Sequence, residues 1–159
     1  MPRIKLTQNK YAEVSAQDVE MLSQYTWHAS KTGGSWYARV SSRTPKISNA
    51  QMGNILLQPP QGRYVDHING NPLDNRRENL RIVTPTQNAW NRKAKNTGST
   101  KYKGVWRVKR SYGVAYETSI CVEGKRTRLG AFSTAEEAHM AYEEAAKRLQ
   151  GDYRRRVEE

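Results

Sequence analysis

The sequence predicts an α+β protein built from small modules rather than from one large core. Hydrophobic residues make up 36% of the 159 residues and the mean hydropathy is −0.93, which leaves little apolar surface for a single core. Residues 64–93 have the pattern of strand, loop, strand and helix, and residues 101–150 that of three strands and one helix. The predicted architecture is a small mixed N-terminal unit with a strand–loop–strand–helix motif, then a three-stranded antiparallel sheet packed on one helix.

The first sixty residues are predicted to form a mixed α/β support unit. Alternating apolar residues, turn residues and helical spacing indicate two hairpins, over 3–14 and 25–40, and two short helices, over 16–24 and within 47–58. In the first of these helices, Val19 and Leu22 are expected to face the core. The hairpin over 3–14 is expected to turn near Gln8-Asn9, because asparagine tolerates turn conformations.

The next segment, 61–93, carries the most informative pattern. A short apolar strand ends in Asp66-His67, and residues 69–75 (Asn-Gly-Asn-Pro-Leu-Asp-Asn) predict a reversal of the chain. Residues 80–83 supply the return strand. Thr84 then has the features of a helix N-cap, with a proline at the first helical position and a glutamine completing a capping box.

This motif brings an ionisable pair and an amide together if its helix folds back over the hairpin. Asp66 and His67 end the first strand, and Asn88 shares a helix face with Asn91, three residues later. Magnesium-type cations prefer oxygen ligands and keep several waters, and a neighbouring histidine can accept a proton near neutral pH. The set therefore suits hydrolysis of a phosphodiester. The alternative is a polar hairpin in which Asp66 and His67 only cap a turn.

The run Asp66-His67, then Asn79, then Asn88 resembles the HNH endonuclease motif in its ββα-metal form, with asparagine in the third position. The stretch 66–81 is similar to the homing-endonuclease branch found in phages and mobile introns. By position, the resemblance implies that Asp66 and Asn88 hold one Mg²⁺ (or Mn²⁺) ion per active site. It also implies that His67 is the general base that activates water, and that Asn79 braces the loop and orients His67.

The chain is strongly basic, with a formal charge of +12 and a pI near 10, so a polyanionic partner is expected. Residues 99–132 hold 8 Lys+Arg and 2 Asp+Glu, a net +6, whereas residues 133–159 hold 5 and 7, a net −2. The basic surface is thus predicted on the C-terminal strands and not on the last helix. A membrane-surface protein more often places basic residues on an amphipathic helix, so nucleic acid is favoured.

Other classes are disfavoured by what the sequence lacks. No apolar run reaches the length of a membrane span, and the N-terminus lacks a signal-peptide core. Cys121 is the only cysteine, which excludes an internal disulfide and a cysteine-based zinc site. An intracellular protein is expected, in the cytoplasm of a bacterial or phage-infected cell.

A polar, basic linker over 94–100 is predicted to join the motif to a C-terminal domain over 101–159. Lys93 and Lys95 are expected to contact phosphate, with plain solubility as the alternative. The predicted elements beyond the linker are strands over 102–108, 115–122 and 125–132 and a helix that ends at Gly151. The helix is expected to begin with a capping box from Ser133 to Glu136. The apolar face expected for this helix comprises Ala138, Ala141, Tyr142, Ala145 and Leu149.

The run Tyr102-Lys103-Gly104-Val105, residues 128–132 and the helical alanines resemble the APETALA/ethylene-response-factor DNA-binding domain, which also occurs in phage HNH endonucleases. That resemblance implies that the sheet, not the helix, enters the major groove. The positions it implies at DNA are Lys103, Gly104, Trp106, Arg126 and Arg128. The basic side chains for which base reading and phosphate contact both stay open are Arg107, Lys109, Arg110, Arg126 and Arg128.

The predicted function is a metal-dependent, site-directed DNA endonuclease of the homing type, expected to nick one strand per site. The side chains expected to hold the DNA backbone near the motif are Arg76, Arg77, Arg81 and Arg92. The expected partner is double-stranded DNA, with no membrane, no small-molecule cofactor and a monomer or weak dimer. One alternative is a sequence-specific DNA-binding regulator that does not cleave, and another is an RNA-binding protein.

Overall fold

The computed structural model describes residues 1–41, 49–92, 99–111 and 113–154. Packing divides the chain into two units, Met1–Pro85 and Thr86–Glu159. The first unit combines several small sheets with helices, and the second combines a single sheet with helices. This confirms the predicted α+β class. None of the helices in these ranges is long and apolar enough to cross a membrane.

The N-terminal hairpin comprises β1 (Arg3–Lys5) and β2 (Tyr11–Val14), paired antiparallel. Gln8 and Asn9 make the turn with φ of 56° and 53°, as the turn residues predict. The predicted helix over 16–24 is instead a 3₁₀ turn followed by α1 (Val19–Ser23). The prediction that Val19 faces the core is wrong: Val19 is exposed, because the buried side of this segment carries Asp18 and Leu22, four residues apart.

A second hairpin and a short helix complete the support unit. Strands β3 (Trp27–Thr32) and β4 (Ser35–Val40) pair antiparallel, and α2 (Met52–Leu57) ends at a left-handed Gln58. The buried core of this unit comprises Leu6, Ala12, Val14, Leu22, Trp27, Ala29, Ala38, Val40, Met52, Leu56 and Leu80. These residues come from both hairpins, from both helices and from Leu80 of the following motif, so one small core supports that motif.

The motif hairpin consists of β5 (Tyr64–His67) and β7 (Leu80–Val83), paired antiparallel as predicted. The loop between them contains a two-residue strand, β6 (Asp74–Asn75), that pairs in parallel with β2. Sequence patterns did not predict β6, because two residues in a turn-rich loop show no periodicity and their partner strand lies about sixty positions earlier. This pairing ties the motif loop to the N-terminal hairpin.

The second unit contains most of α3 (Pro85–Trp90), which begins at Pro85 as predicted. Its sheet has the order β10-β9-β8 and is antiparallel throughout, with strands β8 (Val105–Arg110), β9 (Gly113–Val122) and β10 (Lys125–Phe132). Helix α4 (Ala135–Gln150) packs on one face of this sheet. The three-stranded sheet with one covering helix is therefore the arrangement that the sequence predicts.

Two details of α4 differ from the prediction. The capping box is formed by Thr134 and Glu137, because the helix begins at Ala135 and puts Thr134 in the extended N-cap conformation. The buried stripe of α4 comprises Ala138, Tyr142, Ala145, Ala146 and Gln150. Leu149 is exposed, since the stripe advances in steps of four residues and reaches Gln150 in the last turn.

Candidate functional site

Asp66 and His67 lie at the end of β5, where both side chains are buried. Asp66 pairs across the hairpin with Arg81, whose Nε and Nη2 contact Asp66 Oδ2 at 2.8 Å and 2.7 Å. The ion pair uses one carboxylate oxygen, Oδ2, and brings a cation to a carboxylate that would be costly to bury alone. Arg81 is thereby fixed beside Asp66, on the strand that returns from the loop.

The ring of His67 is oriented by Asn75, a residue of β6 that is 1% exposed. His67 Nε2 lies 3.2 Å from Asn75 Oδ1, and Asn75 Nδ2 donates to the carbonyl of Pro72 at 3.2 Å. Because the amide nitrogen is committed to Pro72, the amide oxygen faces the ring, so Nε2 must carry the proton. The neutral ring then has its basic lone pair on Nδ1.

Burial lowers the pKa of His67, because it disfavours the imidazolium. The hydrogen bond that His67 donates to Asn75 and the charges of Asp66 and Asp74 raise the pKa, but their effect is weaker than that of burial. A lowered pKa keeps the ring neutral at physiological pH. A neutral imidazole with a fixed tautomer is the form that can accept a proton from water.

Asn79 connects the two ends of the motif loop. Its Oδ1 accepts from the backbone N–H of Asn69 at 2.9 Å, and its Nδ2 donates to the carbonyl of Asp74 at 2.7 Å. Its own carbonyl accepts from the N–H of Ile68, directly after His67, at 2.9 Å. These contacts suit the bracing role that the resemblance implies. The side chain that contacts His67 Nε2 is that of Asn75. This residue was not predicted to lie at the site, because an asparagine in such a loop suggests only a turn.

Besides Arg81, two further arginines expected to hold the DNA backbone form ion pairs within the first unit. Arg76 contacts Asp74 through Nε and Nη2 at 2.8 Å and 2.7 Å, and its Nη1 contacts Glu78 at 2.6 Å. Arg77 makes three contacts of 2.8–3.0 Å with the carboxylate of Asp18. The hydrogen bonds from Arg76 lower the pKa of Asp74. These pairs give Arg76 and Arg77 a structural role, as the pair with Asp66 does for Arg81. The contact of all three arginines with DNA stays a prediction.

Gly53 of α2 lies against the residues that support His67. A Cβ atom at this position would lie 3.0 Å from Val65 Cγ1 and 3.6 Å from Asn75 Oδ1. The missing side chain therefore lets α2 approach β5 and β6 closely. Because of this close approach, α2 also lies against one side of the Asn75 side-chain amide.

The remaining residues predicted near the motif belong to the second unit. Asn88 lies on α3 and Arg92 follows that helix, while Lys93 and Lys95 fall outside the described residues. The predicted proximity of Asn88 to Asp66 and His67 stays a prediction. So do the phosphate contacts of Arg92, Lys93 and Lys95.

Helix α3 is attached to the sheet of the second unit. Trp90 Nε1 donates to the carbonyl of Cys121 on β9 at 3.1 Å. Lys103 Nζ donates to the carbonyls of Trp90 at 2.6 Å, Arg92 at 3.2 Å and Ala89 at 3.4 Å. Lys103, which the resemblance implies at DNA, therefore also binds the carboxyl end of α3, where a cation is favourable.

The other DNA-contact candidates lie on the sheet. Strand register puts Trp106, Arg110, Arg126 and Arg128 on the face of the sheet opposite α4. Gly104 has a different setting: its φ is +71°, and an added Cβ would lie 2.8 Å from the carbonyl oxygen of Ser119 and would collide with the Tyr142 ring of α4. Gly104 thus allows close packing of the sheet on its helix, and its implied contact with DNA stays a prediction.

Comparison with known proteins assigns the motif. A family model described as HNH endonuclease matches residues 59–90. The uncharacterized HNH endonuclease L560 of Acanthamoeba polyphaga mimivirus is 32% identical over 146 residues, which cover 90% of this chain and 72% of that protein. The chain belongs to the HNH endonuclease family. This HNH endonuclease also shares 37% identity over 68 residues with Protein 3.8 of Escherichia phage T7, covering 42% of the chain and 54% of the phage protein. No solved structure matches it.

Family membership makes the chain an enzyme, an endonuclease that acts on DNA. The family match ends at residue 90, so the likeness of the sheet to an ethylene-response-factor domain stays a prediction. Within the described ranges, no group of three or more His, Cys, Asp or Glu side chains is placed to hold a metal ion. A magnesium-type ion needs only one or two protein oxygens, because water and phosphate complete its shell, and the buried carboxylate of Asp66 is a donor of that kind.

Proposed function

We propose that this HNH endonuclease is a metal-dependent enzyme of the homing type that nicks one strand of double-stranded DNA per site. The observation that carries the proposal is the position of the buried His67, whose Nε2 lies 3.2 Å from Asn75 Oδ1, next to the buried Asp66. A base and a hard oxygen ligand thus occupy consecutive positions at the end of one strand. A histidine that only capped a turn would not require a buried asparagine to orient its ring.

In this proposal, His67 Nδ1 takes a proton from the water that attacks the scissile phosphorus, and the ring stays oriented by Asn75. Asp66 and Asn88 are the residues that would hold one Mg²⁺ or Mn²⁺ ion, which when bound stabilises negative charge on the phosphate and on the leaving oxygen. Arg81 holds Asp66 in place through Oδ2. Asn79 keeps the loop in the shape that presents His67.

The sheet of the second unit is the proposed surface that binds the duplex. Its exposed face carries Arg110, Arg126 and Arg128, whereas α4 covers the other face. Arginine suits both phosphate contact and bidentate contact with guanine. The proposal includes action as a monomer or weak dimer in the cytoplasm of a bacterial or phage-infected cell, without a small-molecule cofactor.

A plasmid assay tests this function. Supercoiled plasmid is incubated with the full chain in Mg²⁺, in Mn²⁺ and in EDTA, and open-circular and linear products are resolved on a gel. We expect open circles with either metal and none in EDTA.

His67→Ala and Asp66→Ala should abolish nicking and keep DNA binding, whereas Asn54→Ala, on an exposed position of α2, should cut like the wild type. Cleavage by His67→Ala at the wild-type rate would show that the base is misassigned. Tight binding without any nicking by the wild type would favour a regulator that does not cleave.

A further inference from the structure

We propose that Glu117 is a positioning residue for DNA recognition, holding Arg110 and Arg128 together on the exposed face of the sheet so that they meet base edges in a fixed arrangement. The inference rests on the proposed function, namely that this face of the sheet binds duplex DNA. Glu117 is one of only 2 acidic residues among 10 charged side chains in residues 99–132. An acidic residue in the middle of a basic surface requires an explanation of its own.

Strand register places the three side chains on the same face. Glu117 of the central strand β9 is opposite Trp106 on β8, and Arg110 lies four residues further along β8. Arg128 of β10 is opposite Ser119, two residues after Glu117. Neighbouring Thr118 and Ile120 are buried towards α4, so the alternation of the strand directs Glu117 away from the helix.

The contacts converge on a single oxygen atom. Glu117 Oε1 accepts from Arg110 Nη2, and from Arg128 Nη2 at 3.1 Å. The Glu117 side chain is only 14% exposed, whereas the side chains of Arg110 and Arg128 are 37% and 62% exposed. The carboxylate is therefore covered by the two guanidinium groups, which themselves remain accessible to a ligand.

This geometry constrains what the arginines can do. Each guanidinium has five N–H donors, so a bond from one Nη2 to Glu117 leaves donors for a nucleic acid. Two long, flexible arginines without an anchor would repel each other and move independently to the nearest phosphates. The shared carboxylate lowers the local charge from +2 to +1 and fixes both groups at the centre of the sheet. A fixed guanidinium is what bidentate reading of guanine requires, and a correct contact of that kind discriminates roughly 5- to 150-fold against the wrong base.

A simple surface ion pair makes a different prediction. Exposed pairs contribute little to stability and have no influence on which base is preferred. If Glu117 only pairs with its neighbours, its removal should act like the removal of any other negative charge in the unit. Glu123 provides that comparison, because it is an exposed glutamate in the turn between β9 and β10.

The experiment compares Glu117→Gln and Glu117→Asp with the control Glu123→Gln, using the full chain in EDTA so that the DNA stays intact. Binding to a fluorescein-labelled duplex of random sequence is measured from 50 to 300 mM KCl, about the range in which phosphate contacts dominate the salt dependence. Base preference is measured by selection from a random duplex library and sequencing of the bound fraction. Circular dichroism of each variant verifies that the sheet unit is folded.

Release of the two arginines should add phosphate contacts in Glu117→Gln. We expect its plot of log K against log [KCl] to be steeper by about 0.9 for each new phosphate contact, up to about 1.8. Its selected sequences should lose preference at one or two base positions. Glu117→Asp keeps the charge but not the reach, so it should lose base preference with a salt slope closer to the wild type. Glu123→Gln should keep both the wild-type slope and the wild-type preference.

The proposal is overturned if Glu117→Gln matches Glu123→Gln in salt slope and in selected sequence, or if the wild-type chain selects no preferred bases. If the wild-type chain does not bind the random duplex at 50 mM KCl, the proposed DNA-binding role of the sheet fails as well. If the wild-type chain binds DNA and the Glu117 variants have the same salt slope and base preference as the wild type, only the role of Glu117 is refuted.

Discussion

Substitution of Asn75 tests the geometry around His67 most directly. Asn75→Ala removes the acceptor of His67 Nε2–H and the donor to the Pro72 carbonyl, at a position that is 1% exposed. Each buried group left without a partner costs about 1–3 kcal/mol, so for the two groups we expect a loss of roughly 2–6 kcal/mol in the free energy of unfolding. Small domains have about 5–15 kcal/mol in total, so the variant should still fold at low temperature.

The catalytic effect should exceed what this loss of stability explains. A well-placed general base contributes about 10²–10⁴-fold, and His67→Ala sets that upper limit. Asn75→Ala keeps the imidazole but lets it rotate and change tautomer, so we expect the cleavage rate to fall by at least about tenfold within that limit. DNA binding in EDTA should be unchanged, because the Asn75 side chain is buried and its amide contacts His67 and the Pro72 carbonyl.

The assay is single-turnover nicking of supercoiled plasmid, with the melting temperature of each variant measured in parallel. Asn75→Leu fills the space left by the amide without its hydrogen bonds and separates the effect of a cavity from that of a lost partner. Asn54→Ala, the same exchange on the exposed side of α2, is the control. The reasoning is refuted if folded Asn75→Ala nicks within twofold of Asn54→Ala.

Three further predictions concern stability. The pKa of Asp74 is lowered in the folded chain by its arginine partner, so this stabilisation is present above the ordinary carboxyl pKa and is lost as the pH falls through the folded value. The melting temperature of Asp74→Asn should therefore depend less on pH than that of the wild type between about pH 5 and pH 2, and parallel curves would contradict this. Gly104→Ala should cost about 1–3 kcal/mol more than Gly124→Ala in urea unfolding, because both positions have positive φ but only Gly104 is crowded. Thr134→Ala should cost about 1 kcal/mol and Ser133→Ala much less; equal losses would contradict the assigned cap.

Local patterns predicted those parts of the fold that local interactions determine. The strands around Asp66 and Leu80, the helix start at Pro85 and the three-stranded sheet all follow from alternation, turn residues and caps within short windows. The capping box of α4 was predicted from Ser133 to Glu136 but is formed by Thr134 and Glu137. The two overlapping Ser/Thr–Glu pairs fit the same sequence pattern. The structure decides between them, because α4 begins at Ala135 and Thr134 is its N-cap.

Features that depend on partners far apart in the sequence could not be predicted from local patterns. The ion pair of Arg77 with Asp18 joins residues 59 positions apart, and Arg77 looks like any exposed basic residue in a loop. Asn75 likewise has the sequence signature of a turn residue, and its contact with His67 depends on β6 pairing with β2. The sequence therefore indicated which chemistry the motif supports, but not which side chains hold it in place.

The parallel pairing of β6 with β2 also has a consequence for how the enzyme is made. Glu13 and Val14 leave the ribosome about sixty residues before Asp74 and Asn75, so the first hairpin is available as a template when the catalytic loop emerges. A chain without its first fourteen residues would still contain every proposed catalytic and metal-binding residue. The loop would, however, lack strand β2, on which Asn75 is aligned. Restoring such a truncated enzyme by adding the missing hairpin as a separate peptide would make that dependence directly visible.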